Sequence, residues 1–182
     1  VIGQLPIYID DNPVVSMRYI RSHAKIMAKR GRCGIIFIDY LQLADTASAD
    51  RTRNREQEIA QASRQAKIIA KELNVPFILL SQLSRSVEGR SDKMPVLSDL
   101  RESGAIEQDA DIVSFIYRPA YYKLETIQTE SLGIISTEGL GVIAIAKQRD
   151  GATGQVVFRH NQSMTKIADF KPGETYTAKS PF

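Results

Sequence analysis

Apolar positions along the chain follow two rhythms. Behind Ser16, a residue type that caps helices, Met17, Ile20, Ala24 and Met27 recur at helical spacing up to Gly31. Asn12-Pro13 offers a second start for the same helix. Ile59, Ala62, Ala66, Ile69 and Leu73 mark a longer amphipathic helix, and that stripe reads as core. Elsewhere the apolar residues come in unbroken runs: Gly34-Ile-Ile-Phe-Ile-Asp39-Tyr-Leu-Gln-Leu43, Val75-Pro-Phe-Ile-Leu-Leu-Ser81 and Ile112-Val-Ser-Phe-Ile-Tyr117. Such runs predict strands buried on both faces of a parallel sheet. A shorter strand is expected at Ile7 to Ile9. Strands alternating with helices predict an α/β fold with crossover helices between parallel strands.

The last third reads differently. From Tyr117 to about Leu140 a segment rich in Tyr, Thr and Glu predicts an irregular surface excursion. Gly141-Val-Ile-Ala-Ile-Ala146 is a fourth strand, and Arg149-Asp-Gly-Ala-Thr-Gly154 carries hairpin-turn residues before a Gln155-Val-Val-Phe158 strand. The sheet is therefore expected to end in antiparallel pieces. Lys171 to Phe182, with two prolines and little apolar content, reads as a flexible tail.

A chain of 182 residues, 43% of them hydrophobic, can bury roughly 70% of its unfolded surface. One globular domain is expected. The net charge of +3, with a pI near 9.0, is too mildly basic to establish a nucleic-acid partner by itself. The single cysteine, Cys33, has no internal partner and fits a reducing compartment, with the cytoplasm as the default. No apolar run approaches the roughly 20 residues that span a bilayer, and no signal-peptide pattern opens the chain. The start at Val1, directly before Leu5-Pro-Ile-Tyr-Ile9, reads as mid-domain, so a fragment is expected.

An unpaired charge inside a doubly buried strand would cost several kcal/mol, which places Asp39 at a strand's carboxyl end. In open parallel sheets ligands bind at that edge, so the carboxylate either meets a metal ion or caps the next turn. Gln82 follows the next parallel strand and falls on the same edge, as a phosphate-sensing amide or a solvated one. Lys147 and Arg149, two apart near a strand end, should emerge on one face. The Gln82 to Asp99 loop is long for a compact domain and carries Arg85, Arg90 and Lys93.

In order and spacing, the chain resembles the C-terminal part of DnaB-family replicative DNA helicases. The resemblance is carried by Asp10-Asp11, Ile-Asp39-Tyr-Leu-Gln-Leu, Lys71-Glu-Leu-Asn-Val-Pro76, Ser81-Gln-Leu-Ser-Arg85, Asp99-Leu-Arg-Glu-Ser-Gly104, Glu107-Gln-Asp-Ala-Asp111 and Lys147-Gln-Arg149. These cover most of residues 7 to 160. The resemblance implies a RecA-like ATPase domain in a ring-forming hexamer, with ATP and Mg²⁺ as cofactors and single-stranded DNA as partner. It gives Asp39 the Walker B role of binding Mg²⁺, Gln82 the sensor role, and Lys147 and Arg149 a place on the γ-phosphate held by a neighbouring subunit, with the arginine as the finger. Arg101, Glu102 and Gly104 take the place of a DNA-contacting turn, and Arg85, Arg90, Lys93 and Arg53 line loops that face DNA. Arg51 and Arg55 flank Arg53 in the loop from Ala44 to Arg55. Primase and a helicase loader are the further partners implied.

The sequence holds no Gly-x-x-x-x-Gly-Lys-Ser/Thr phosphate cradle and no Gly-Lys pair at all. The family's catalytic glutamate belongs to a segment with no counterpart in these residues. Gly139-Leu-Gly141-Val-Ile-Ala144 matches a dinucleotide fingerprint but runs into a strand, which excludes that reading. His23 and His160 have no neighbours at metal spacing and read as structural or solvated. The expectation is a partial RecA-like motor domain over 1–170 with a tail over 171–182, inactive alone. A RecA/RadA-like recombination or repair ATPase, or a non-catalytic module binding DNA or a partner protein, are the alternatives.

Overall fold

The computed structural model describes residues 5–12, 15–41 and 55–173, with the backbone alone for 55 and 101–103. Contacts divide the chain into two compact units, one drawn from Val1–Gln82 and Glu102–Ala110, the other from Leu83–Arg101 and Asp111–Phe182. The single domain expected from length is thus built as two interleaved bodies.

The first unit packs three helices on one face of a two-stranded parallel sheet. Helix α1 (Met17–Lys29) starts where its cap predicts: Ser16 Oγ accepts from the Tyr19 backbone N–H at 3.2 Å. Strand β1 (Ile36–Ile38), helix α2 (Arg55–Leu73) and strand β2 (Phe77–Leu79) follow, then the short helix α3 (Gly104–Asp109). Strands β1 and β2 pair in parallel, with Ile38 opposite Leu79. Met17, Leu41, Ile59, Ala62, Ala66, Ile69 and Ile106 form the core, against which Ile36, Ile38, Phe77 and Leu79 pack. The α2 stripe is therefore core, as its spacing predicts. Glu72 joins α2 to α1 through Arg21 at 2.7 Å and Lys25 at 2.5 Å, and these partners, Arg21 foremost, pull its pKa down to about 2.

The apolar runs behave differently from expectation. Each strand is covered on one face only within this unit; Ile35, Phe37, Ile78 and Leu80 on the alternate positions are exposed. Ile7 to Ile9 form no strand, because no described strand lies beside them to take up their backbone groups.

The second unit is a four-stranded antiparallel sheet ordered β3-β6-β7-β8, from β3 (Ile112–Tyr117), β6 (Leu140–Gln148), β7 (Gly154–His160) and β8 (Ile167–Asp169). Strand β3, expected to run parallel to its neighbour, pairs antiparallel with β6, so its burial alternates strictly: Val113, Phe115 and Tyr117 face inward. The expected excursion after Tyr117 contains a second hairpin, β4 (Thr126–Thr129) and β5 (Gly133–Ser136). Buried Thr129 closes its turn, with Oγ1 donating to the Gly133 carbonyl and accepting from the Leu132 N–H. The buried hydroxyl of Thr137 donates to the Leu124 carbonyl.

Gly141 of the discarded fingerprint has a packing reason. It lies opposite Phe158 across the β6–β7 ladder, and a Cβ there would enter the phenyl ring. Gly141→Ala is expected to destabilise the fold by about 1–3 kcal/mol by overpacking, with partial recovery when Phe158→Leu is added. Urea unfolding of the three variants checks this; a Gly141→Ala protein as stable as its parent would sink it.

Candidate functional site

The first unit presents a carboxyl edge built from β1 and β2. Asp39 follows β1 directly and Gln82 follows β2, so the parallel ladder places both beyond the same ends of paired strands. The Leu80 N–H donates to the Ile38 carbonyl at 3.0 Å and the Leu41 N–H to the Leu80 carbonyl at 2.8 Å, which continues the ladder past the strands and fixes that edge. Asp39 is exposed and, among the described residues, its carboxylate makes no hydrogen bond or ion pair. An exposed carboxylate at this position suits either a metal ion or a cap on the residues that follow. Magnesium uses few carboxylates and keeps waters, so one strand-end acid meets its chemistry when phosphates complete the shell. No group of three or more potential ligands occurs among the described residues. Asp10, matched ahead of α1, is turned to that helix: it accepts from Tyr19 Oη at 2.9 Å and lies 3.8 Å from His23, whose ring stacks on Tyr19.

The second unit carries the two cations. Lys147 lies opposite Val113, Gln148 ends the paired part of β6 opposite Ile112, and Arg149 stands just beyond the strand, its N–H donating to the Asp111 carbonyl at 2.9 Å. A β-bulge at Ala146 precedes them: Ser114 faces Ile145, yet Val113 faces Lys147. Before the bulge β6 is buried at Leu140, Gly141, Val142 and Ala144 and exposed at Ile143, whereas Ile145 to Gln148 are all half-buried, and a bulge of this kind re-aims the side chains beyond it. Arg149 Nη1 also meets Asp111 Oδ1 at 3.1 Å, both side chains about half exposed. The guanidinium is thus oriented by an acid of the Glu107-Gln-Asp-Ala-Asp111 motif. His160 is buried, with Nδ1 2.9 Å from the Asn161 carbonyl oxygen, a structural place.

The loop from Leu83 to Asp99 is ordered rather than open. Short 3₁₀ turns occupy Arg85–Gly89 and Leu97–Ser103, the latter kinked at Leu100. Arg85 is exposed on the first of these turns. Arg90, expected to line a DNA-facing loop, is about one-third exposed (34%) and has its fork on the buried Asp99 at 2.9 and 2.5 Å. That contact holds the Asp99 carboxyl below the usual carboxylate range. Lys93 donates to the Glu88 carbonyl at 2.6 Å and has φ of 50°. Gly104 opens α3 at an exposed position where an added Cβ would meet nothing within 4 Å, so the fold itself does not require glycine there. The side chains of Arg101 and Glu102, and Arg51 and Arg53 altogether, lie outside the described residues, as do residues 174–182 of the expected tail. Sequence reasoning missed Asp99 as the loop's organiser and Asp111 as the partner of Arg149; an acid within reach of each arginine was the available signal.

The chain has relatives among known proteins. The family model described as the DnaB-like helicase C terminal domain matches residues 1–169. The replicative DNA helicase DnaC of Bacillus subtilis (strain 168) is 50% identical over 165 residues, covering 91% of this chain and 34% of that protein. A probable replicative DNA helicase of Trieres chinensis is 45% identical over 170 residues, covering 93% and 36%. A solved DnaB-like replicative helicase, studied with its interactions with primase, superposes with a TM-score of 0.79 at 41% identity, covering 93% of this chain and 39% of that one. The chain thus spans about a third of the length of these curated relatives. With a family model over nearly its whole length and relatives at half identity, the chain belongs to the DnaB-like helicase C-terminal domain family and has its RecA-like α/β fold.

Proposed function

We propose that the chain is the motor portion of a hexameric replicative DNA helicase, which couples ATP hydrolysis at subunit interfaces to translocation on single-stranded DNA and duplex unwinding. The observation that carries this reading is the shared carboxyl edge of β1 and β2, with Asp39 and Gln82 at the strand ends of a family member. Asp39 would hold Mg²⁺, which when bound neutralises charge on the nucleotide phosphates. Gln82 would report the presence or loss of the γ-phosphate to the loop beyond it. Lys147 and Arg149 would act on the nucleotide of the adjoining subunit, the arginine because its planar fork donates bidentately and its charge does not titrate. Arg85, Arg101, Glu102, Gly104, Lys93 and Arg53 form the proposed DNA-facing set. No base-reading code is visible among them, which suits tracking of a backbone. Primase and a loader are the proposed protein partners, and the cytoplasm the proposed location; among the described residues no helix is long and apolar enough to cross a membrane.

Strand displacement on a forked duplex tests the reading. The intact protein carrying this chain is expected to unwind the fork with Mg-ATP, whereas strand exchange without unwinding would favour a recombinase. In the same protein, Arg101→Ala should weaken single-stranded DNA binding about equally for different sequences and flatten the slope of log K against log[salt] by roughly one charge. A changed sequence preference at an unchanged slope would remove Arg101 from the phosphate contacts. The second reading is a non-catalytic binding module; displacement that depends on ATP would exclude it.

A further inference from the structure

Within the second unit, the chain between Ser84 and Asp99 closes on itself around one buried carboxylate. Asp99 is 2% exposed, and both of its oxygens are engaged. Oδ1 accepts from Arg90 Nη1 at 2.9 Å and Ser86 Oγ at 3.3 Å; Oδ2 accepts from Arg90 Nη2 at 2.5 Å and from the Val96 N–H at 2.8 Å. Arg90 Nη2 also donates to the Met94 carbonyl, at 2.5 Å. The backbone of Asp99 completes the closure, since its carbonyl accepts from the Ser84 N–H at 3.0 Å. One carboxylate and one guanidinium therefore tie five points of the loop. The loop is also pinned to the sheet: buried Tyr117 donates from Oη to the Asp92 carbonyl at 2.5 Å, and Val87 and Leu100 are buried beside the node.

An arginine whose Nη fork is spent on a buried carboxylate cannot offer that fork to a phosphate bidentately, and releasing it would strand the Asp99 charge in a dry site. We propose that Arg90 and Asp99 are a positioning pair, a clasp that sets the shape in which this loop presents Arg101 to single-stranded DNA, and that Arg90 itself does not touch DNA. The proposal rests on the DNA-tracking reading above and deepens it. The charges make it testable. A phosphate-binding Arg90 would be restrained by Asp99, so removing that acid should strengthen DNA binding. A clasp predicts the reverse, because neutralising Asp99 frees the loop even as it adds net positive charge.

The experiment uses the intact protein and measures single-stranded DNA affinity across a salt series, with limited proteolysis and amide exchange over residues 84–99 alongside. Asp99→Asn and Arg90→Ala should each lower affinity by about tenfold at an unchanged salt slope and raise cleavage and exchange within the loop by a similar factor. Arg90→Lys, which keeps the charge but loses the fork, should fall between Arg90→Ala and the parent. A slope flattened by about one charge in Arg90→Ala, or affinity raised in Asp99→Asn, would overturn the proposal. So would a loop that stays protected in both variants. If Arg101→Ala leaves DNA binding untouched, the DNA reading of the loop fails, and the protection data decide the clasp separately.

Discussion

With Arg149→Ala in every subunit of the intact ring, nucleotide binding is expected to persist while ATP hydrolysis falls by roughly 10³ to 10⁵, or about 4–7 kcal/mol of barrier. The expectation rests on where the side chain starts: beyond the bulged end of β6, half exposed, and held by a surface carboxylate that a γ-phosphate can outcompete. An exposed pair of this kind is worth little by itself, so Asp111 orients the guanidinium without locking it. Asp39→Ala should be equally inactive, through loss of the metal-binding acid. If the two inactive variants are mixed equally and reassembled, roughly a quarter of head-to-tail interfaces pair an intact Asp39 with an intact Arg149. Activity should return in proportion, provided either variant mixed with parent subunits retains activity. Under that control, variants that never complement would place Arg149 in its own subunit's site or outside catalysis.

The second large effect is all-or-none. This chain by itself is expected to turn over no ATP, with or without single-stranded DNA, because its sequence contains no run of glycine-rich backbone N–H groups to hold β- and γ-phosphates and no lysine after such a run. The metal ligand and sensor proposed at the carboxyl edge, Asp39 and Gln82, would not substitute for a cradle. Calorimetry with Mg-ATP and a phosphate-release assay check this. Turnover by the isolated chain that Asp39→Ala abolishes would show a complete site within these residues.

What the sequence made legible was local. Ser16 followed by helical spacing gave α1 its start, the Ile59-to-Leu73 stripe gave α2 its buried face, and glycine-bearing turn chemistry gave the β6–β7 hairpin. The strand-end positions of Asp39 and Gln82 were readable because an apolar run tolerates a carboxylate only at its end. Pairing was not readable. Strand β3 has the same apolar run as β1 and β2, and its direction is set by β6, a partner distant in sequence. The β4 and β5 strands are four residues each, Thr-Ile-Gln-Thr and Gly-Ile-Ile-Ser, too short to stand out from a loop. The partner of Arg90 was unreadable for a related reason: nothing in a loop's sequence shows that Asp99, nine residues on, folds back against the arginine.

The interleaving of the two units also bears on the order in which the chain can fold during synthesis. Ile106 is buried among Met17, Leu41 and Ile59, yet it is made after the whole of the 83–101 segment, which belongs to the other unit. A ribosome adding about 5–20 residues per second must therefore deliver the clasped loop before the first core can receive its last apolar side chain. Until then the nascent first unit carries an incomplete core, with the apolar residues around the place of Ile106 still uncovered. A polypeptide ended at Gln82 would be fixed in that immature condition, whereas one ended at Ala110 would contain every segment of the first unit.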